Sequence, residues 1–278
     1  MNMARRLIGI AAAVLLLVGS VTAWVYGRGA ARGEGELSRG EAASVSEPIP
    51  AASTQELQRS VKLAFAPVEM EVISKGAALD NVPAGYPQKN VSLGSIDGTD
   101  STLELYDAAE EPGRLTAVLR FGGESYAIPE VSSSDVWLPP SGLSVHSASG
   151  LQSIAAGLEL FANGPGFKVY LVYDFGERKW LRFEEWGTPY AADLDRDGRA
   201  ELAIQFEGLH MHFPDVIVYR WSGDVLQRSA SASASIWGAE HKAYARLGED
   251  GRIASGIVDE ERPERTFLYF GGELVPQP

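Results

Sequence analysis

The pattern of hydrophobic and polar residues changes character twice along the chain. An uncharged apolar run covers residues 7–26, and a stretch dominated by Gly, Ala, Ser, Glu and Arg follows to about residue 60. From residue 61 onward, short runs of β-branched and aromatic residues alternate with Gly, Ser and Asp, which is typical of strands separated by turns. The pattern therefore predicts an all-β domain over residues 61–278, preceded by an N-terminal hydrophobic helix and a tether.

Four segments of the predicted domain share one arrangement: an apolar and aromatic run, a Gly-containing turn, and a second short run. The last aromatic residues before the turns are Phe121, Phe175, Trp221 and Phe270, about 50 residues apart. Glycine accepts the positive φ of a tight hairpin turn, so each segment predicts a hairpin. A period of this length predicts a propeller-like array of about four β units. The alternative is a β-sandwich in which hairpins recur by coincidence.

The N-terminal run has the features of an export segment. Arg5 and Arg6 precede it, and positive charge stays on the cytoplasmic side of a membrane. Two interpretations of residues 1–26 remain open. Small residues near Ala23 are typical of a cleavable signal peptide, whereas the length of the run also suits a single membrane anchor. In either case the rest of the chain is expected to be extracytoplasmic, as a membrane-anchored or secreted protein.

Residues 27–60 have little to pack and predict a flexible tether. Near its end, Ser53 and Glu56 have the spacing of a capping box, which would open a short helix through Leu63.

Charge and composition exclude several classes of function. The formal net charge is −13 and the pI is near 4.8, so the protein repels nucleic-acid phosphates. There is no cysteine, which excludes disulfides, thiolate metal sites and a cysteine nucleophile. We therefore expect no nucleic-acid partner.

The strongest chemical signal is an acidic loop, residues 193–201. Carboxylates occupy positions one, three, five and nine, at Asp193, Asp195, Asp197 and Glu201, and Gly198 stands at position six. Calcium prefers six to eight oxygen ligands, and alternate side chains of a tightly wound loop can converge on one ion. The carbonyl of the residue after the glycine would add another oxygen.

The loop is not an EF-hand, because its twelfth position is Ile204 and residues 202–206 have a strand-like sequence. A loop followed by a strand resembles the calcium-binding repeats of the FG-GAP and VCBS families, known from integrin-type β-propellers. Glu201 stands where those repeats usually have their last Asp. The resemblance implies bound Ca²⁺, with these ligand residues: Asp193, Asp195, Asp197, Arg199 through its carbonyl, and Glu201. Asp97-Gly98-Thr99-Asp100 is a degenerate candidate of the same kind.

Other candidate groups give weaker signals. His210 and His212 share one face of an extended segment, but no third ligand accompanies them. Carboxylates near aromatic residues could form a glycosidase pair, although solvated strand faces explain them better; they are Asp174, Glu177, Glu184 and Glu185. Exposed aromatic side chains could stack on sugars or on a protein partner, although core packing explains most of them; the candidates are Trp180, Trp186, Tyr190 and Trp237.

The sequence thus favours a noncatalytic, extracytoplasmic calcium-binding β-repeat protein. Its expected role is binding, adhesion or structural support at the cell envelope, and its expected partner is a protein or an envelope glycan. Two alternatives stay open. One is a glycan-active hydrolase on a β scaffold, and the other is an accessory or sensor subunit of an envelope complex.

Overall fold

The computed structural model describes residues 59–76, 87–107, 114–139, 152–160, 166–209, 212–223, 225–260 and 263–278. The expected signal peptide or anchor and all but the last two residues of the expected tether lie outside these ranges. Within the described residues, no helix has the length and apolar character needed to cross a membrane.

The described chain is all-β, which confirms the predicted class. One short helix, α1 (Ala232–Trp237), interrupts the strands. The strands are β1 (Val61–Lys62), β2 (Phe65–Pro67), β3 (Glu71–Val72), β4 (Lys89–Ile96), β5 (Thr99–Asp107), β6 (Leu115–Phe121), β7 (Glu124–Trp137), β8 (Gln152–Leu160), β9 (Phe167–Asp174), β10 (Lys179–Trp186), β11 (Thr188–Ala192), β12 (Glu201–Phe206), β13 (Asp215–Ser222), β14 (Val225–Ser229), β15 (Ala243–Leu247), β16 (Arg252–Ile257), β17 (Arg265–Phe270) and β18 (Glu273–Pro276).

The largest sheet has eight antiparallel strands in the order β3-β10-β9-β8-β7-β6-β5-β4. It is curled into a half-barrel. In a flat sheet β5 and β9 would lie roughly 19 Å apart, at about 4.8 Å per strand. Instead, Arg178 after β9 donates to the Asp97 carboxylate before β5 at 2.8 Å. The inner face of the curl encloses an apolar cluster that includes Leu103, Leu158 and Trp180.

Two five-stranded antiparallel sheets follow. The central sheet has the order β11-β12-β13-β14-β2, and the C-terminal sheet has the order β1-β18-β17-β16-β15. Each consists of four strands that are consecutive in sequence, completed by one short strand from the N-terminal part of the domain.

The three sheets stack through two further apolar clusters. Tyr170 of the eight-stranded sheet packs in one cluster with Leu202 of the central sheet. Ala203 belongs to the other cluster, together with Phe267 of the C-terminal sheet. The central sheet is therefore buried on both faces. This explains why Leu202-Ala203-Ile204 is a continuous apolar run rather than an alternating one.

An N-terminal strap, residues 61–72, joins all three sheets. Its strand β1 pairs with β18, β2 pairs with β14, and β3 pairs with β10. Since Val61–Lys62 is a strand, a helix opened by Ser53 cannot extend to residue 63.

The four predicted hairpins are present as β6–β7, β9–β10, β13–β14 and β17–β18. They do not belong to four equal units, because the first two lie in one continuous sheet. Strand β8 pairs with both β7 and β9 and so fuses them. The chain leaves this sheet after β10, at Gly187, where φ is +128° and an added Cβ would lie 2.4 Å from the carbonyl oxygen of Gln205.

Candidate metal site

The acidic loop connects β11 to β12 in the central sheet. The two strands pair up to Ala192 and Glu201, which are directly opposite each other. Two residues of the loop have left-handed backbone conformations, Arg196 at φ 63° and Gly198 at φ 87°. These two positions wind the chain tightly, as the sequence predicts for Gly198.

The loop is held by hydrogen bonds from its own backbone to its carboxylates. Asp193 accepts from the N–H of Gly198 at 3.1 Å, Asp195 accepts from that of Asp197 at 3.1 Å, and Asp197 accepts from that of Arg199 at 2.8 Å. These contacts turn the three aspartates inward. Arg199 is exposed and its amide takes part in the winding of the loop.

The carboxylates of Asp193, Asp195 and Asp197 converge. One oxygen of each lies within 4.8 Å of the others, and among the described residues this is the one such group of three or more potential ligands. Calcium–oxygen distances of about 2.3–2.6 Å place two ligands of one ion up to roughly 5 Å apart. The spacing of the aspartates therefore fits a calcium-sized cation.

Glu201 is the buried member of the predicted ligand set, with only 4% of its surface exposed. Its carboxylate accepts a hydrogen bond from the N–H of Leu194 at 2.8 Å. Burial, together with the three aspartate charges, raises its pKa to about 7, although the Leu194 N–H acts in the opposite direction. The Glu201 carboxylate is not part of the group that converges within 4.8 Å, so the structure brings together three of the four predicted carboxylates. A cation held by the three aspartates would lower the electrostatic cost at Glu201.

The loop also contacts the C-terminal sheet. Asp195 accepts a second hydrogen bond at 3.1 Å, from the N–H of Gly271 in the β17–β18 turn. A pocket of about 290 Å³ opens beside the loop, between its carboxylates and the side chain of Arg220. Arg220 stacks on Phe65 of the strap, with 3.7 Å from its guanidinium carbon to the ring centre. The site thus includes residues far from the loop in sequence, which the sequence pattern did not indicate.

The degenerate candidate at residues 97–100 has a different structure. Asp97 and Gly98 form the two-residue turn between β4 and β5, with φ values of 51° and 71°. The Asp97 carboxylate pairs with Arg178. The segment is therefore a hairpin turn in which the predicted ligand already has a cationic partner.

Of the two histidines that share a face in the sequence, His210 lies outside the described residues. His212 is exposed and pairs through its backbone with Leu209. It lines a pocket of about 430 Å³ together with aromatic and aliphatic side chains, among them Trp186 and Phe206.

The carboxylates behind the hydrolase alternative have structural partners. Asp174 accepts from the N–H of Glu177 in the β9–β10 turn, and Glu177 pairs with Lys179. Glu184 lies 3.7 Å from Arg182.

Glu185 differs from the solvated residue that the sequence suggests. It is largely buried between the eight-stranded and central sheets, where it accepts hydrogen bonds from Tyr219 and Arg228. Of the aromatic candidates for sugar stacking, Trp180 is fully buried and Trp237 donates to Ser255.

Comparison of the chain with family models, with curated proteins and with solved structures found no match. The resemblance to FG-GAP and VCBS repeats therefore depends on the loop and the hairpins of this chain alone.

Proposed function

We propose that this protein is a noncatalytic, extracytoplasmic β-repeat protein of the FG-GAP and VCBS kind, in which a calcium ion bound by the acidic loop stabilises the association of two sheets. Its biological role would be binding or structural support at the cell envelope, with a protein or an envelope glycan as partner. The observation that carries the proposal is the convergence of the carboxylates of Asp193, Asp195 and Asp197.

The position of the loop supports a structural role for the ion. Asp195 is bonded both to its own loop and to Gly271 of the C-terminal sheet. An ion held by this carboxylate would fix the loop of the central sheet against the β17–β18 turn. Extracellular calcium sites of about 10⁻⁴ to 10⁻³ M affinity are occupied outside the cell, where calcium is abundant. The apolar run behind Arg5 and Arg6 favours the same location.

The propeller-like interpretation is supported for the second half of the domain. The central and C-terminal sheets each contain four consecutive antiparallel strands, and they pack face to face as neighbouring blades do. The β13–β14 and β17–β18 hairpins occupy corresponding positions in these two sheets. The sequence period of about 50 residues would then reflect a true repeat between Trp221 and Phe270.

Calcium is expected to stabilise the protein against heat, and Asp197→Asn is expected to reduce the effect. At about 10 mM calcium the stabilisation should be about 1 to 3 kcal/mol for the affinity range above. The substitution removes one charged ligand but keeps an oxygen that can accept from Arg199. The measurement is the melting temperature in calcium and in chelator.

Asp250→Asn is the matched control, because Asp250 also accepts a backbone N–H in an acidic turn, from Arg252 at 3.1 Å. This variant should keep the full response to calcium. Equal melting temperatures of the wild-type protein in calcium and in chelator would refute the proposal. An undiminished response of Asp197→Asn would show that calcium binds elsewhere.

A further inference from the structure

The C-terminal sheet contains a buried hydroxyl group without a hydrogen-bond acceptor. Tyr269 of β17 is only 1% exposed, and its O–H meets no acceptor in the part of the chain that the structure describes, because the neighbouring Arg220 can only donate. A buried O–H without an acceptor costs free energy, and such groups are rare in folded proteins. The hydroxyl is therefore a candidate for a contact that forms only with a ligand present.

The strand geometry directs this hydroxyl toward the acidic loop. Side chains alternate along a strand, so Tyr269 shares a face of β17 with Phe267, which packs on the central sheet. On β12, Glu201 shares a face with Ala203, a member of the same apolar cluster. Tyr269 and Glu201 therefore lie on the facing surfaces of two packed sheets. Tyr269 is close to the β17–β18 turn and Glu201 directly follows the acidic loop, and the hydrogen bond from Gly271 to Asp195 links that turn to that loop.

The charges around the hydroxyl agree with this placement. Burial, together with the carboxylates of Glu201 and Asp195, raises the pKa of Tyr269 to about 12, although Arg220 acts in the opposite direction. The hydroxyl is thus within electrostatic range of these three side chains. Arg220 carries only N–H donors and cannot accept a hydrogen bond from the tyrosine hydroxyl, whereas either carboxylate can.

We propose that Tyr269 is a positioning residue of the calcium site, whose hydroxyl donates a hydrogen bond to the Glu201 carboxylate when the ion is bound. This inference rests on the proposed function. Donors in the shell around metal ligands fix the orientation of those ligands. Together with the Gly271 N–H on Asp195, the tyrosine makes the β17–β18 hairpin the second half of the site. Ion binding is then coupled to the docking of the C-terminal sheet.

The substitution Tyr269→Phe is expected to affect the ion-free and the calcium-bound protein differently. In chelator, the melting temperature should stay equal or rise, because the variant loses a buried hydroxyl that has no acceptor. In calcium, the dissociation constant measured by calorimetric titration should increase about 10-fold, as for other residues that orient metal ligands. A purely structural tyrosine would not produce this combination.

Tyr170→Phe is the matched control. Tyr170 is fully buried, its hydroxyl also lacks an acceptor, and it packs against the opposite face of β12 through Leu202. It should show the same change in chelator and an unchanged calcium affinity. Wild-type affinity in Tyr269→Phe, or an equal loss in both variants, would overturn the inference while leaving calcium binding intact. If the wild-type protein itself shows no binding of calcium, the proposed function fails and this inference fails with it.

Discussion

Glu185→Ala is expected to lower the free energy of unfolding by about 2 to 3 kcal/mol. One carboxylate oxygen of Glu185 accepts from the Tyr219 hydroxyl and from Nε of Arg228, each at 2.7 Å. The substitution would leave the buried tyrosine hydroxyl without an acceptor and the guanidinium without its partner. Since the Arg228 side chain is 41% exposed, water compensates part of the loss.

Denaturant unfolding checks this value, and Glu184→Ala provides the control. Glu184 is the preceding residue on β10 and points to the other face, and its ion pair within the described residues is a 3.7 Å contact with Arg182. Its removal should change stability by about 0.5 kcal/mol or less. Equal effects of the two substitutions would mean that the contact between the eight-stranded and central sheets does not depend on Glu185.

The ion-free protein is expected to lose stability as the pH rises from about 4.5 to about 7, relative to Glu201→Gln. The pKa of Glu201 is raised from 4.5 to about 7, so in this interval the folded protein keeps a proton that the unfolded chain has released. The stabilisation by the proton is complete below about pH 4.5 and is lost as the pH rises through 7. For this shift it amounts to about 3 kcal/mol.

The measurement is the difference in unfolding free energy between the wild-type protein and Glu201→Gln, in chelator, as a function of pH. Carboxylates far from the loop contribute equally in both proteins and cancel. Glutamine keeps an oxygen for the N–H of Leu194 but carries no charge, so the variant should become the more stable protein above pH 7. In saturating calcium the order should reverse. A difference that does not vary with pH would contradict the burial of an ionisable Glu201 beside the three aspartates.

The parts of this fold that the sequence predicts are those determined by local chemistry. The hairpin turns follow from glycines at positions of positive φ, as at Gly271 and Gly272. The winding of the acidic loop follows from aspartates that bond to nearby backbone N–H groups. Both depend on residues close together in the sequence, so the pattern alone indicates them.

The arrangement of the sheets depends on distant contacts that carry no local signal. The strands of the strap have only two or three residues each, too few to show a period, and β2 pairs with β14, far away in sequence. The run from Ser229 to Ser235 fits a strand or a loop by sequence, yet its second part forms α1. Ser231 caps that helix by accepting from the N–H of Ala234, and the Asp215 carboxylate bonds to Ser231 and Ser233.

The candidate site divides in the same way. Its carboxylates lie in one short segment, and their spacing predicts them. The packing of the central and C-terminal sheets is what brings distant residues near the loop, namely Arg220, Tyr269 and Gly271. Glu185 was expected on a solvated face because the acidic pair with Glu184 resembles a surface sequence, and only the stacking of two sheets shows that one of the two is buried.

A crystal structure of the protein with calcium, recorded at a wavelength where calcium scatters anomalously, tests the central claim most directly. We expect an anomalous peak about 2.3–2.6 Å from oxygens of Asp193, Asp195 and Asp197, from the carbonyl of Arg199 and from the Glu201 carboxylate. The absence of a peak in the loop at saturating calcium, or a peak confined to another part of the molecule, would contradict it.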